Sequence, residues 1–219
     1  NEVHNFSAVA GFTMDRRRRD RYDIALRDLL NEDIYTSNIG TINLSGTGTS
    51  ATANSNMSVL SRLNYNYSGK YIVQGTFRRD GSSRFGVNSK YGNFFSAGAA
   101  WRFSAENFME WSKGFLNDGK LRFSVGSAGN DAIGDYRSYT LMDFGGNYYN
   151  GKFGAAESSV LGNSLIKWET STSTNYGLDL SFLKGRVSFV GEYYVKTTKD
   201  LLYNTELGKE SGKSQVTVN

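Results

Sequence analysis

The chain has 219 residues, and 25 Lys and Arg against 21 Asp and Glu give a net charge of only +4, which lacks the strong basic field of a nucleic-acid binder. It has no cysteine and one histidine, which excludes disulfides and thiolate metal sites and argues against a Ser-His-Asp triad or a multi-histidine metal site. No stretch approaches the roughly 18 apolar residues of a spanning helix, whereas membrane strands stay possible because their alternating residues escape hydropathy averages.

The dominant pattern is an alternation of apolar and polar side chains, which is typical of a strand with one apolar face. It begins at residues 4–14, and the arginine-rich and then Thr/Ser/Gly/Asn-rich stretch 15–56 predicts a long surface loop. The alternation returns at 57–67 and at 70–80, on either side of Ser68-Gly69. These two segments predict a hairpin with a tight turn.

Further along the chain, the same alternation predicts four more strands, at 96–103, 120–128, 175–182 and 186–196. Between the first two, Ser104 as N-cap with Phe108 and Trp111 one turn apart predicts a short helix within 104–119. The stretch 129–174 predicts a second long surface loop without a core of its own, and Leu183-Lys184-Gly185 predicts a tight turn.

The length of the predicted strands distinguishes a membrane protein from a soluble one. Soluble strands have about 5 or 6 residues, whereas a tilted strand that crosses a bilayer needs about 9 to 11. Tight links also alternate with long ones, as in outer-membrane barrels, with 104–119 as a helical insert on the periplasmic side. The sequence therefore predicts an all-β, antiparallel transmembrane β-barrel portion made of long, meandering strands.

Two alternatives remain open at this stage. A soluble β-sandwich carbohydrate-binding module would press the apolar faces of two sheets together and use Trp168 and the tyrosines as stacking surfaces. An enzyme would need a convergent set of catalytic groups, and the pair Asp131 and Asp135 is better explained as turn-forming residues. The arginine-rich run 16–21 is interleaved with Asp15, Asp20 and Asp23, so it predicts a solvated loop or a contact with lipid headgroups or a partner.

The segment Phe77-Arg78-Arg79-Asp80-Gly81-Ser82-Ser83-Arg84-Phe85-Gly86 closely resembles the SusC/RagA family of TonB-dependent outer-membrane transporters. Other segments share the resemblance, and together they span most of 57–207: 61–67, 90–92, 100–102, 121–130, 133–136, 161–163, 167–170 and 193–202. The chain departs from the family at four positions where the family often has proline: Val87, Phe95, Ser164 and Gly208.

The resemblance implies that the chain belongs to a larger plugged barrel of about 22 strands. Because seven is an odd number, the chain is expected to be a C-terminal-half portion that lacks the plug, the TonB-contacting segment and the final strand. The implied function is import of large nutrients, oligosaccharides or peptides, across the outer membrane of Bacteroidetes. The implied partners are a SusD-like surface lipoprotein, the TonB complex and outer-membrane lipid. No cofactor, metal, nucleic acid or enzymatic reaction is expected.

The polar faces and the loops supply the candidate site residues. Those expected to face the lumen, or to contact the plug or the substrate, are Arg78, Asp80, Arg84, Arg102, Arg122, Asp179, Glu192 and Trp168. The loops 15–56, 81–95 and 129–174 are expected to meet the substrate or the lipoprotein. Arg79 points to the apolar side by parity and is expected among lipid phosphates at the outer end of its strand. Tyr65, Tyr67 and Tyr71 are expected in an aromatic girdle.

Overall fold

A computed structural model of the chain describes residues 3–29, 31, 33, 36, 40–144 and 148–219. Seven long strands form one sheet in chain order: β1 (His4–Asp23), β2 (Gly48–Tyr67), β3 (Tyr71–Ser82), β4 (Tyr91–Trp101), β5 (Leu116–Asn130), β6 (Glu169–Phe182) and β7 (Val187–Lys199). Each strand pairs antiparallel with its neighbour in the chain. The predicted all-β antiparallel class is confirmed.

Short elements fill the connections. Two-residue strand pairs join Leu26–Arg27 to Thr41–Ile42, Met142–Asp143 to Ala156–Glu157, and Tyr148–Tyr149 to Lys152–Phe153. Tyr203–Glu206, Gln215–Val218 and Val160–Leu161 form a three-stranded sheet. The 3₁₀ helices are Leu44–Gly46, Val87–Ser89, Phe103–Ala105, Asn107–Ser112 and Lys209–Ser211. The described residues contain no helix that is long and apolar enough to cross a membrane.

The first two strands extend well beyond the predicted segments 4–14 and 57–67. Their ladder continues to the pair Asp23 and Gly48, so the arginine run lies in β1 rather than in a loop spanning 15–56. Part of that predicted loop, including residues 37–39, lies outside the described residues. A charged segment can form a strand because the hydrogen bonds between strands use only backbone groups. Opposite charges two residues apart also lie on one face and pair there, as in Arg18–Asp20 at 3.0 Å and Arg21–Asp23 at 2.9 Å.

A short helix does form within the predicted segment 104–119, but it is the 3₁₀ helix Asn107–Ser112, and Ser104 is not its N-cap. The segment forms two 3₁₀ helices, Phe103–Ala105 and Asn107–Ser112, and its last residues join β5. The Ser104 hydroxyl does not cap a helix but donates to Asp118 Oδ1 at 3.0 Å. The helix does not extend to residue 119 because the backbone groups of 116–119 form hydrogen bonds with β6 instead.

The strand register shows which side chains share a face, and we call a set of residues opposite one another across the sheet a rung. One rung runs across all seven strands and is mainly apolar: Ala8, Leu63, Gly75, Ala97, Val125, Thr174 and Val195. The adjacent rung faces the opposite way and is mainly polar: Ser7, Asn64, Gln74, Gly98, Ser124, Asn175 and Tyr194. The sheet therefore has an apolar face and a polar face.

Nothing in the described part of the chain covers the apolar face. Phe6 and Phe12 in β1 are 65% and 62% exposed, and Phe95 in β4 is 60% exposed. A β-sandwich would bury such side chains against a second sheet, so the soluble-module alternative is wrong. An uncovered apolar surface of this extent fits contact with lipid.

The apolar band is staggered across the sheet. In β1 the outward residues of the band run from His4 to Met14. In β6, by contrast, the residue on the rung of Ala8 is the polar Thr174, so the band has ended there. In the opposite direction, the band continues in β6 and β7 to Phe182 and Val187, which lie beyond the rung of His4 at the end of the sheet where β1 begins. Such a shift is expected when strands cross a lipid layer at a tilt.

The connections divide between two ends of the sheet. The short-turn end holds Ser68-Gly69, the segment 102–115 and the turn 183–186, and the long-loop end holds 83–90, 200–219 and the described parts of 24–47 and 131–168. At Ser68-Gly69 both residues have positive φ, 53° and 66°, and Lys70 N–H donates to the Tyr67 carbonyl at 2.9 Å. This is the type I′ geometry that tight hairpins require.

Candidate functional site

A network of charged side chains lies on the polar face and joins β5, β6 and β7. The Arg122 guanidinium donates twice to the Asp179 carboxylate, each bond 2.9 Å long, and once to Glu192 at 2.7 Å. Lys120 Nζ lies 3.0 Å from Asp179. A Cβ at Gly177 would lie 2.9 Å from the Arg122 guanidinium carbon, so the absence of a side chain there leaves room for the arginine.

Three of the candidates predicted from the sequence are thus brought together: Arg122, Asp179 and Glu192. Lys120 was missed, although its alternation places it on the same face as Arg122. A bidentate arginine–carboxylate pair fixes both side chains in direction. The network therefore presents an ordered patch of mixed charge, suited to hydrogen bonding with a polar partner or solute on this face.

The other strand candidates form local pairs. On the polar face of β3, Arg78 Nε donates to Asp80 at 2.6 Å, and its Nη2 donates to Ser58 at 3.3 Å. At the short-turn end, Arg102 Nε lies 2.9 Å from Asp118. These two pairs do not contact the Arg122 network, so the polar face carries separate charged groups along its length.

Arg84 lies in a cluster at the long-loop end that ties the tip of β3 to the loop after β5. Its Nε donates to Asp135 at 2.9 Å and its Nη1 donates to the Asp131 carbonyl at 3.1 Å. The Ser82 hydroxyl donates to the Asp131 carboxylate at 2.8 Å. The two aspartates, which the sequence suggested only as turn formers, therefore anchor this loop to the sheet.

Trp168 lies in a small aromatic core at the same end. Its ring centroid is 4.9 Å from that of Phe85 and 5.6 Å from that of Phe94, and its Nε1 donates to the Lys90 carbonyl at 3.3 Å. Phe85 is 1% exposed, and Ile166, two residues before Trp168 in the chain, is 0% exposed. The loop 131–168 therefore takes part in a small core that it shares with Phe85 and Phe94, and the Trp168 indole packs against these two rings.

The end of the chain fastens the loop 131–168 from the other side. Asn163 donates to the Thr217 carbonyl at 3.0 Å, and Lys213 Nζ donates to Glu157 at 2.7 Å. The Lys213 ammonium holds the pKa of the Glu157 carboxyl below its ordinary value. The described part of the long-loop end is consequently an ordered structure built on the sheet.

A carboxylate at the short-turn end gives a testable pH dependence. Hydrogen bonds from the Tyr71 hydroxyl, the Lys70 ammonium and the Trp101 indole hold the pKa of Glu106 below its ordinary value of 4.5. Stability from this group is therefore present above its unfolded pKa and is lost as the pH falls through the lower folded pKa. We expect Glu106→Gln to flatten the acid side of a thermal-unfolding profile taken from about pH 7 to about pH 3.

Glu110→Gln is the matched control, because among the described residues Glu110 pairs with Lys113 alone, and both side chains are about two-thirds exposed (66% and 63%). Such an exposed pair contributes little to stability. An unchanged acid slope in Glu106→Gln would show that the three hydrogen bonds do not stabilise the folded state.

The described residues contain no group of three or more His, Asp or Glu side chains placed to hold a metal ion. The distinctive features are therefore the exposed apolar face, the polar face and the ordered loop end. Over residues 3–218 the chain matches the family described as "TonB dependent receptor-like, beta-barrel". The chain belongs to the TonB-dependent receptor-like β-barrel family.

Similar proteins agree with this assignment. TonB-dependent receptor P39 of Formosa agariphila is 41% identical over 220 residues, a match that covers 100% of this chain and 21% of that protein. TonB-dependent receptor SusC of Bacteroides thetaiotaomicron is 34% identical over 167 residues, which is 72% of this chain and 16% of SusC. The solved RagAB peptide transporter superposes with a TM-score of 0.86 at 26% identity, covering 100% of this chain and 24% of that chain.

These matches confirm the resemblance to the SusC/RagA family and the outer-membrane location. The relatives are named as receptors, and the solved structure as a transporter, which confirms the expectation that this family member is not an enzyme. The chain spans about a fifth of the length of the TonB-dependent receptors that it matches over its whole length, 21% in the case of P39.

Proposed function

We propose that this chain forms part of the wall of a TonB-dependent importer, with the apolar face in lipid and the polar face toward the lumen. The observation that carries the proposal is the antiparallel pairing of seven long strands, whose register places an exposed apolar rung next to a polar rung. A lipid-facing wall around a watery interior needs this alternation.

The free edges of the sheet support a larger barrel. Among the described residues, β1 and β7 each pair with one neighbour only and not with each other. Unpaired backbone groups in hydrocarbon each cost several kcal/mol, so further strands would have to pair with both edges in a membrane. On this proposal, the plug and the TonB-contacting segment belong to other parts of the same transporter.

The proposed cargo is a large nutrient, either an oligosaccharide or a peptide, and the proposed partner is a SusD-like surface lipoprotein. The solved relative is named as a peptide transporter, which supports the peptide alternative. The long-loop end, with its core at Phe85 and Ile166, would be the extracellular surface that meets the lipoprotein and the cargo. The Arg122 network would lie inside, facing the plug or the passing solute.

The test is uptake by cells that carry the full-length transporter or have its gene deleted, with and without TonB. A fluorescent oligosaccharide and a fluorescent peptide are the two probes, and we expect TonB-dependent uptake of one of them. A lipoprotein of the SusD type should copurify. Uptake of neither probe above the deletion strain would overturn the proposed import.

The assignment of the apolar face to lipid and the polar face to the lumen is tested in the same cells. This chain has no cysteine, so Gln74→Cys and Val73→Cys introduce single thiols into it on opposite faces. With a bulky water-soluble maleimide, we expect Gln74→Cys to be labelled in the lumen and to lose uptake, while Val73→Cys stays unlabelled. Equal labelling of both variants would contradict the assignment of the two faces.

A further inference from the structure

Arg79 is a charged residue on the otherwise mainly apolar outward face of β3. It lies opposite Val59 in β2 and Asn93 in β4, on the same face as Phe77. Eight residues separate it from Tyr71, which is about 26 Å along the strand, or about 20 Å along the membrane normal at a tilt of about 40°. In an apolar band about 25 Å tall, Arg79 is therefore near the lipid headgroups on the long-loop side.

Among the described residues, the guanidinium of Arg79 has an aromatic contact but no acidic partner. Its central carbon lies 5.0 Å from the centroid of the Tyr91 ring, and the Tyr91 hydroxyl contacts Met57 Sδ at 3.8 Å. Within the described part of the chain, no carboxylate lies within ion-pair distance of Arg79. Its neighbour Arg78, on the opposite face, is paired with Asp80 at 2.6 Å. The N–H groups of Arg79 are thus available to an anion from outside the protein.

An apolar groove runs from below Arg79 toward the short-turn end. Its upper end is the ring pair Phe77 and Phe95, with centroids 5.0 Å apart. Below this pair the outward positions carry small side chains or none, at Gly75, Ala97 and Ala99, and a Cβ added at Gly75 would meet no atom within 4 Å. The upper part of the groove has a volume of about 560 Å³, and a second part of about 790 Å³ follows it.

The charged site and the groove are continuous along β3 and β4. The rung of Arg79 and Asn93 is followed by Phe77 and Phe95, and then by Gly75 and Ala97. A ligand that fits both must carry an anionic head and a long apolar tail. Arginine binds phosphate oxygens through its planar fork, and an aromatic ring beneath it fixes its orientation.

We propose that this outward face binds a phosphate-bearing membrane lipid, with the phosphate on Arg79 and one acyl chain in the groove along β4. The inference rests on the proposed function only in placing the apolar face in lipid. The positive charge of Arg79 and the apolar walls below it match the two ends of such a lipid. Binding would fix the rotation and depth of this part of the wall at the headgroup level.

The experiment is native mass spectrometry of the full-length transporter in neutral detergent, with palmitoyl-oleoyl phosphatidylglycerol as the probe. Diacylglycerol with the same chains lacks the phosphate, and glycerol phosphate lacks the chains. We expect retained phosphatidylglycerol on the wild type, and at least about tenfold weaker retention in Arg79→Leu, the scale of a lost charge-assisted contact. Arg79→Lys should be intermediate.

Two further variants separate the tail from the head and from net charge. Ala97→Phe keeps Arg79 but fills the groove, and we expect it to weaken retention as well. Arg27→Leu removes the same charge from the loop 24–47, where Arg27 pairs with Asp28 at 3.6 Å, and it should retain lipid normally. All variants are compared as folded protein, so loss of nutrient uptake does not affect the result.

Wild-type retention in both Arg79→Leu and Ala97→Phe would overturn the proposal. Equal retention of diacylglycerol would also overturn it, because the phosphate would then contribute nothing. Displacement of the lipid by glycerol phosphate alone would assign the site to a free phosphate compound instead.

Discussion

Replacing Leu63 by lysine is expected to reduce sharply the amount of folded protein in the outer membrane. Leu63 lies on the apolar face of β2, 52% exposed, between Val59 and Tyr67 at the ends of the outward band. From Tyr67 it is about 13 Å along the strand, or about 10 Å in depth, which is close to the middle of the band. A lysine at the bilayer midplane of such a barrel costs about 2–4 kcal/mol.

Asn64→Lys is the matched control, because the neighbouring residue faces the polar side, where Asn64 donates to Ser7 at 3.2 Å. We expect it to accumulate like the wild type. The measurement is the amount of full-length protein that fractionates with outer membranes, and the share of it that stays folded in SDS on a gel when the sample is not heated. Equal yields of Leu63→Lys and Asn64→Lys would mean that the apolar face does not contact lipid.

Arg79→Leu is informative in the same assay. The proposed position near the headgroups would allow either side chain, so we expect nearly normal folding and yield. A severe loss of folded protein in Arg79→Leu would place this residue away from the membrane boundary.

Replacing Phe85 by alanine is expected to increase local opening of the long-loop end while the seven-stranded sheet stays folded. Phe85 is 1% exposed and packs against Trp168, with ring centroids 4.9 Å apart. Truncating a buried phenylalanine typically costs about 3–5 kcal/mol, which corresponds to about a hundredfold or greater rise in the opened fraction if the loss falls on this end. The measurement is the rate of protease cleavage within 131–168 in membrane-embedded protein.

Val87→Ala is the control for this loop, because Val87 lies two residues away and is 84% exposed. We expect its cleavage rate to match that of the wild type. If Phe85→Ala is cleaved no faster than Val87→Ala, the aromatic core does not hold the loop in place.

The strands were predictable because their signal is local. Side chains of a strand alternate between two faces, so Met57, Val59 and Leu63 reveal the strand without knowledge of its partners. The extension of β1 through the arginine run was not predictable in this way, since Arg16 to Asp23 have no apolar alternation. Its ladder depends on a partner that begins at Gly48, beyond a long connection.

The sequence predicts which residues belong to the candidate site, but not which of their side chains contact each other. Parity places Arg122, Asp179 and Glu192 on one face, yet their distances depend on the register between β5, β6 and β7. The core at the long-loop end depends on residues that are far apart in sequence, such as Phe85 and Trp168. The adjacent pair Phe94-Phe95 was a usable signal, because two consecutive apolar residues place one ring on each face of a strand.

The two free edges of the sheet have a practical consequence. Within the described part of the chain, β1 offers a long row of unpaired N–H and C=O groups and β7 offers another, so each is a template for strand pairing with a second molecule. Produced by itself in water, the chain would stack edge to edge and collect in inclusion bodies. Refolding work on this chain should therefore block the unpaired backbone groups of β1 and β7, for example by introducing proline into both strands.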